Sequence, residues 1–96
     1  MKVKVEYLGT MMKTLNRKEE IIEVPMNTTL QELLCKLSNT HGKWFKEEIL
    51  ESDGEKIREG FIVTVNGIAT GQTGGLQTIL MDGDEIALLP FFAGGG

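Results

Sequence analysis

The stretch Thr29-Leu30-Gln31-Glu32 constrains this chain more than any other. It is a T-x-x-E capping box, in which hydroxyl and carboxylate each satisfy a backbone N–H at a helix start. Leu30, Leu33, Leu34 and Leu37 follow at i, i+3, i+4 and i+7, which places one apolar stripe on one helix face. Asn39 and Gly42 supply the stop. A helix with a single apolar stripe has to lay it on another element, and the flanking sequence offers strands.

Residues 3 to 7 alternate, with Val3, Val5 and Tyr7 on one face and Lys4 and Glu6 on the other. Period two predicts a half-buried strand. Residues 19 to 24 predict a second strand, stopped by Pro25 and joined to the first through a loop over Thr10 to Arg17. After the helix, Trp44, Phe45, Ile49 and Leu50 suggest a further helical turn or two, and Ser52 to Glu55 form a turn cluster. Phe61 to Val65 predicts a strand that ends in Asn66-Gly67, the strongest hairpin signal present. Met81-Asp82-Gly83-Asp84 turns into Glu85 to Leu89, which is more apolar than alternating and therefore belongs in the middle of a sheet, covered on one side by the helix. A hairpin, a helix across the sheet and a returning central strand make an α+β roll, with the first and last strands as neighbours.

A chain of 96 residues predicts one domain with a modest core. Apolar residues at 41% and charged residues at 25% match an ordinary globular chain. A net charge of -4 argues against nucleic-acid binding and is compatible with a basic protein partner. The lone Cys35 permits no disulfide framework and fits a reducing compartment. Its helical phase lies roughly opposite the leucines, so partial exposure is expected. Charge alternates with valine at the N-terminus, which is unlike a signal peptide, and the apolar run Phe61 to Val65 is too short to span a membrane. A cytoplasmic protein is expected.

Familiar catalytic patterns fail one after another. The loop Gly71-Gln72-Thr73-Gly74-Gly75 continues into Leu76 and Gln77, whereas a phosphate-cradling loop needs Lys and a hydroxyl there. Asp82, Asp84 and Glu85 lack the spread of ligands a calcium loop needs, so a tight turn around Gly83 is expected, with no metal site. His41 stands alone beside Gly42 and reads as a solvated helix-end residue. Cys35 has neither a C-x-x-C partner nor a basic neighbour except Lys36.

The sequence then ends Pro90-Phe91-Phe92-Ala93-Gly94-Gly95-Gly96. Glycine lets a backbone approach another surface closely. Extended, Ala93 to Gly96 reach about 13 Å, enough to carry a carboxylate into a partner's active site. A domain over residues 1–92 with a flexible tail over 93–96 is expected.

The run Leu80-Met81-Asp82-Gly83-Asp84-Glu85-Ile86-Ala87-Leu88-Leu89-Pro90 before a glycine tail resembles the end of the MoaD/ThiS family of ubiquitin-like sulfur carriers. The capped leucine helix, the valine-rich first strand and the Val65-Asn66-Gly67 corner also fit, so the resemblance spans essentially the whole chain. The nearest pattern is the small subunit of molybdopterin synthase. The resemblance implies a β-grasp roll, a mixed sheet packed on one main helix. It also implies a cycle in which a ubiquitin-activating-type enzyme uses ATP to adenylate the terminal glycine. Sulfur then replaces the adenylate as a thiocarboxylate, and the tail enters the large synthase subunit to sulfurate a pterin precursor of the molybdenum cofactor. The chain itself would bind no cofactor and perform no catalysis.

By the same resemblance Gly96 carries the reactive carboxyl group, or Gly95 where Gly96 is absent from the mature chain, while Gly94 and Gly95 form the tail. Leu89, Phe91 and Phe92 are expected to meet the partner. The family usually ends in two glycines rather than three and often has a second proline where Phe91 stands. Three other readings are conjugation to lysines as a protein modifier, sulfur delivery to tRNA or thiamine, and a passive interaction domain.

Overall fold

The computed structural model of the chain describes residues 1–70 and 74–90. Among the described residues five strands form one mixed sheet. They are β1 (Lys2–Tyr7), β2 (Glu19–Glu23), β3 (Phe61–Val65), β4 (Ile68–Ala69) and β5 (Glu85–Pro90), in the spatial order β2-β1-β5-β3-β4. β1 runs antiparallel to β2 and parallel to β5, and β3 runs antiparallel to β4 and β5. The last strand is therefore central and lies beside the first, as its apolar character predicts.

The helix α2 (Leu30–His41) crosses one face of this sheet. The Thr29 hydroxyl accepts from the Glu32 amide at 3.2 Å, and Glu32 accepts from the Thr29 amide at 2.9 Å, which completes the capping box. Leu30, Leu33, Leu34 and Leu37 are fully buried, as are the inward residues Val3, Val5 and Tyr7 of β1 and Ile86 and Leu88 of β5. This is the β-grasp arrangement: a hairpin, a helix and a returning central strand around one core.

A second helix, α3 (Lys43–Ile49), packs on α2 and buries Phe45 and Ile49. The Asn66-Gly67 turn has both φ angles positive, 53° and 83°, the backbone of the hairpin turn that matches strand twist. Gly83 likewise turns at φ 85°.

The sequence reads Thr10 to Arg17 as loop, yet Thr10–Leu15 forms the helix α1. It starts after Gly9 at φ 57° and stops at Asn16 in the left-handed region, with Met11 buried. Six residues are too few to display a helical period, so only tertiary contact reveals the element. Among the described residues no helix is long and apolar enough to cross a membrane.

Candidate functional site at the end of β5

The start of β5 is fixed by hydrogen bonds that join the two glycine turns. Asp84 accepts from the Met81 amide at 2.7 Å and from the Asn66 side-chain amide at 2.9 Å. Asn66 in turn accepts from the Glu85 amide at 3.0 Å. Asp82 accepts from the Lys2 amide at 2.8 Å, and the Lys4 amide donates to the Asp84 carbonyl at 2.9 Å. Both aspartates thus serve backbone and side-chain donors, in keeping with a tight turn, and no metal-binding group occurs among the described residues.

The other end of β5 is clamped from both sides. Pro90 pairs with Phe61 and Leu89 with Ile62 on β3, while the Leu8 amide donates to the Leu88 carbonyl at 3.1 Å. Gly9 lies against Pro90: a β-carbon there would sit 3.6 Å from the proline ring. α1 packs against β5 beside this point. Val63, Ile86 and Leu88 point inward, so Leu89 and Ile62 share the outer face, both partly exposed, with Leu8 exposed nearby. Pro90 fixes its own φ and holds Leu89 extended, which keeps the strand straight to its last residue. Of the expected site residues, Leu89 lies here. Phe91, Phe92, Gly94, Gly95 and Gly96 lie outside the described residues, as does the boundary between domain and tail.

Beside Leu88, on β1, Tyr7 belongs to a polar cluster that the sequence does not announce. The Tyr7 hydroxyl donates to Glu20 at 2.6 Å, the His41 ring lies 2.8 Å from the same carboxylate oxygen, and Arg17 reaches the other oxygen at 3.3 Å. His41 is therefore not the solvated helix-end residue expected: its side chain is 12% exposed and its ring stacks on Phe45. The reason is helical phase. His41 follows Leu34 and Leu37 by seven and four residues, so it ends the buried stripe. Glu20 shares the phase of Ile22 on β2, and reading the two phases together is the signal that would have found the pair.

This cluster sets the local electrostatics. Burial, then the hydrogen bond to Glu20 and that carboxylate's charge, push the Tyr7 phenol well above its ordinary range, against a small pull from Arg17. Burial pushes the Glu20 carboxyl up, but hydrogen bonds from Tyr7 and His41 and the charges of His41 and Arg17 outweigh it, leaving it below the usual carboxylate value. On the outer face Lys4 is held above its ordinary value by hydrogen bonding to Glu19 and by the charges of Glu19, Glu85 and Glu6. Cys35, at a phase away from the leucines, is partly exposed as expected.

A central strand fixed at its start and clamped at its end, with a helix across the sheet, defines a ubiquitin-like β-grasp domain. The chain belongs to the ThiS family, whose model matches residues 5–95. A protein of Archaeoglobus fulgidus assigned as a sulfur carrier is 37% identical over 67 residues, 70% of this chain and 74% of that one. A Pyrococcus furiosus protein assigned as subunit 1 of the molybdopterin converting factor superposes with a TM-score of 0.74 at 26% identity, covering 96% of this chain and 99% of that one. The small archaeal modifier protein 1 of Methanosarcina acetivorans superposes with a TM-score of 0.80 at 25% identity, covering 98% and 95% respectively. The chain is thus a ubiquitin-like β-grasp protein of the sulfur-carrier family.

Proposed function

We propose that the chain carries sulfur on its terminal glycine for molybdopterin synthesis. The observation that carries this reading is the reach of the family match: it continues past Pro90 to residue 95 and so takes in Gly94 and Gly95. Similarity to the Pyrococcus protein favours a pterin precursor as acceptor. In this reading an adenylating enzyme joins the carboxylate of Gly96 to the α-phosphate of ATP, releasing pyrophosphate. A sulfur nucleophile then displaces AMP and leaves a thiocarboxylate. Gly94 and Gly95 keep the path narrow, because a side chain beside the acyl carbon would obstruct both entry and attack. Leu89, Phe91 and Phe92 form the apolar contact with the large subunit, which performs the catalysis. The cytoplasm is the proposed setting.

Intact-protein mass spectrometry after incubation with ATP, a sulfur source and the adenylating enzyme tests the first half. The expected result is an oxygen-to-sulfur exchange mapped to the last glycine. Absence of both adenylate and thiocarboxylate, with an enzyme active on another carrier, overturns it. Deleting Gly95 and Gly96 together is expected to abolish transfer while circular dichroism and the unfolding midpoint stay unchanged. A second reading, conjugation to lysines, is favoured by the similarity to the archaeal modifier. Tail-to-lysine isopeptides in cells, with no sulfur passing to a pterin precursor, would select it.

A further inference from the structure

β2 is an edge strand, and its open side has a defined chemistry. Val24 and Met1 exchange hydrogen bonds at 2.9 and 3.0 Å, and the Tyr7 amide donates to the Lys18 carbonyl at 2.8 Å. Pairing alternates along an antiparallel ladder, so Ile22 and Glu20 also face β1, while Glu19, Ile21 and Glu23 turn their N–H and C=O groups to the open side. The Glu23 carbonyl is met there by the Lys36 ammonium from α2 at 2.7 Å, as this phase requires. Neither amide nor carbonyl of Glu19 or Ile21 has a partner among the described residues. α1 packs against β5.

The side chains of the same three residues share the outer face, since Ile21 lies opposite the outward Lys4 and Ile22 opposite the inward Val3. Ile21 is 60% exposed between two carboxylates. The Glu23 carboxylate is in no ion pair among the described residues, and Glu19 shares Lys4 with Glu85. At the Glu23 end a cleft of about 180 Å³ opens between α2 and residues 24–28, lined by Val24, Pro25, Met26 and Lys36 among others.

We propose that this edge receives an extended segment of a protein partner, added as an antiparallel strand, with the pattern basic-x-apolar-x-basic. The apolar residue sits opposite Ile21, and the two basic residues sit opposite Glu19 and Glu23. A second copy of this chain is the wrong occupant. An antiparallel β2–β2 pair centred on Ile21 would set Glu19 against Glu23 twice, with like charges directly opposed. The partner would then lie three strand spacings from β5, about 14 Å away. It would hold the carrier without covering the end of β5. Docking at this edge is separate from sulfur transfer and stands whichever acceptor the tail serves.

The probe is a blocked peptide containing Lys-Thr-Val-Thr-Lys, titrated into the nitrogen-15-labelled full chain. The expected result is shifted and exchange-protected amides at Glu19, Ile21 and Glu23, with binding that weakens as salt rises. Glu19→Lys with Glu23→Lys should weaken binding by at least about tenfold, the effect of losing two cross-strand ion pairs. Ile21→Pro should also weaken it, because it removes an edge-facing N–H together with the apolar side chain opposite the partner's, and the spectrum of that variant reports whether the sheet survives. A Glu-Thr-Val-Thr-Glu peptide should not bind. Perturbation centred elsewhere, equal binding of both peptides, no perturbation at millimolar peptide, or dimerisation through β2 would each overturn the proposal.

Discussion

The two ends of β5 are held by different means. Its start is tied by polar groups: Asp84 and Asn66 hold each other, the Met81 and Glu85 amides and, through the Asp84 carbonyl, the Lys4 amide. Its end is held by strand pairing on both sides, Pro90 with Phe61 and the Leu88 carbonyl with the Leu8 amide, and by the contact of Gly9 with Pro90, beside the Tyr7–Glu20–His41 cluster. Directional hydrogen bonds fix a turn in one geometry. Backbone pairing and the Gly9 contact fix the strand's position while leaving its outer face free for another surface. The strand is thus anchored where nothing has to leave and clamped where the tail sequence begins.

The sharpest test of the polar anchor is Asp84→Ala. It strands the Met81 amide and the Asn66 side-chain amide at a site only 9% exposed. The expected loss is about 2–3 kcal/mol, read as a lower urea midpoint at constant slope. A loss below about 0.5 kcal/mol, the size of an ordinary surface change, would show that the turn stands without its staple.

The contrast also explains what the sequence disclosed. Asp82-Gly83-Asp84 and Asn66-Gly67 are short-range signals, because the backbone angles they permit are set by the residues themselves. The capping box and leucine stripe of α2 are of the same kind. Strand β5 is legible as central because both its faces are apolar. By contrast Tyr7, Glu20 and His41 come from three separate elements, and none of them carries a local mark of its partners. α1 was illegible because a six-residue helix has no period to show, and its stability comes from packing on β5. Of the site, the sequence displays Leu89 and the turn that launches its strand, while the Gly9–Pro90 clamp exists only through tertiary contact.

The buried cluster is tested by Tyr7→Phe. The ring stays edge-on to Phe45, but Glu20 loses its shortest hydrogen bond. A loss of about 1.5–2 kcal/mol is expected, at the low end for a bond to a charged acceptor because Arg17 opens the site to water. A Tyr7→Phe protein as stable as its parent would reduce the cluster to solvated polar groups and leave strand pairing and the Gly9–Pro90 contact as the clamp.

Gly9→Ala probes the clamp itself. The space beside Pro90 accommodates a β-carbon at ordinary contact distance, so the cost comes from the backbone, at φ 57° and ψ -133°. About 1 kcal/mol is expected, together with shifted amide signals at Leu8 and Leu89. Unchanged signals at both would separate Gly9 from the exit.

The smallest effect is the pH dependence of the cluster, and its sign follows from Glu20. Its carboxyl titrates lower in the folded chain than the 4.5 of the free group. The unfolded chain therefore binds the proton more readily, so this contribution is present above pH 4.5 and is lost as pH falls through the lower folded value. Tyr7 acts at the other extreme: its raised phenol contributes fully below pH 10 and less as pH rises beyond it. The Glu20 effect is small because burial opposes the hydrogen bonds and charges that lower it. Comparing midpoints at pH 4 and pH 6 for the parent and Glu20→Gln isolates it, since the glutamine amide keeps the shape of the carboxylate and does not titrate. The parent should lose more stability than the variant on acidification. An equal loss in both would separate the acid sensitivity from Glu20 and leave the clamp independent of pH.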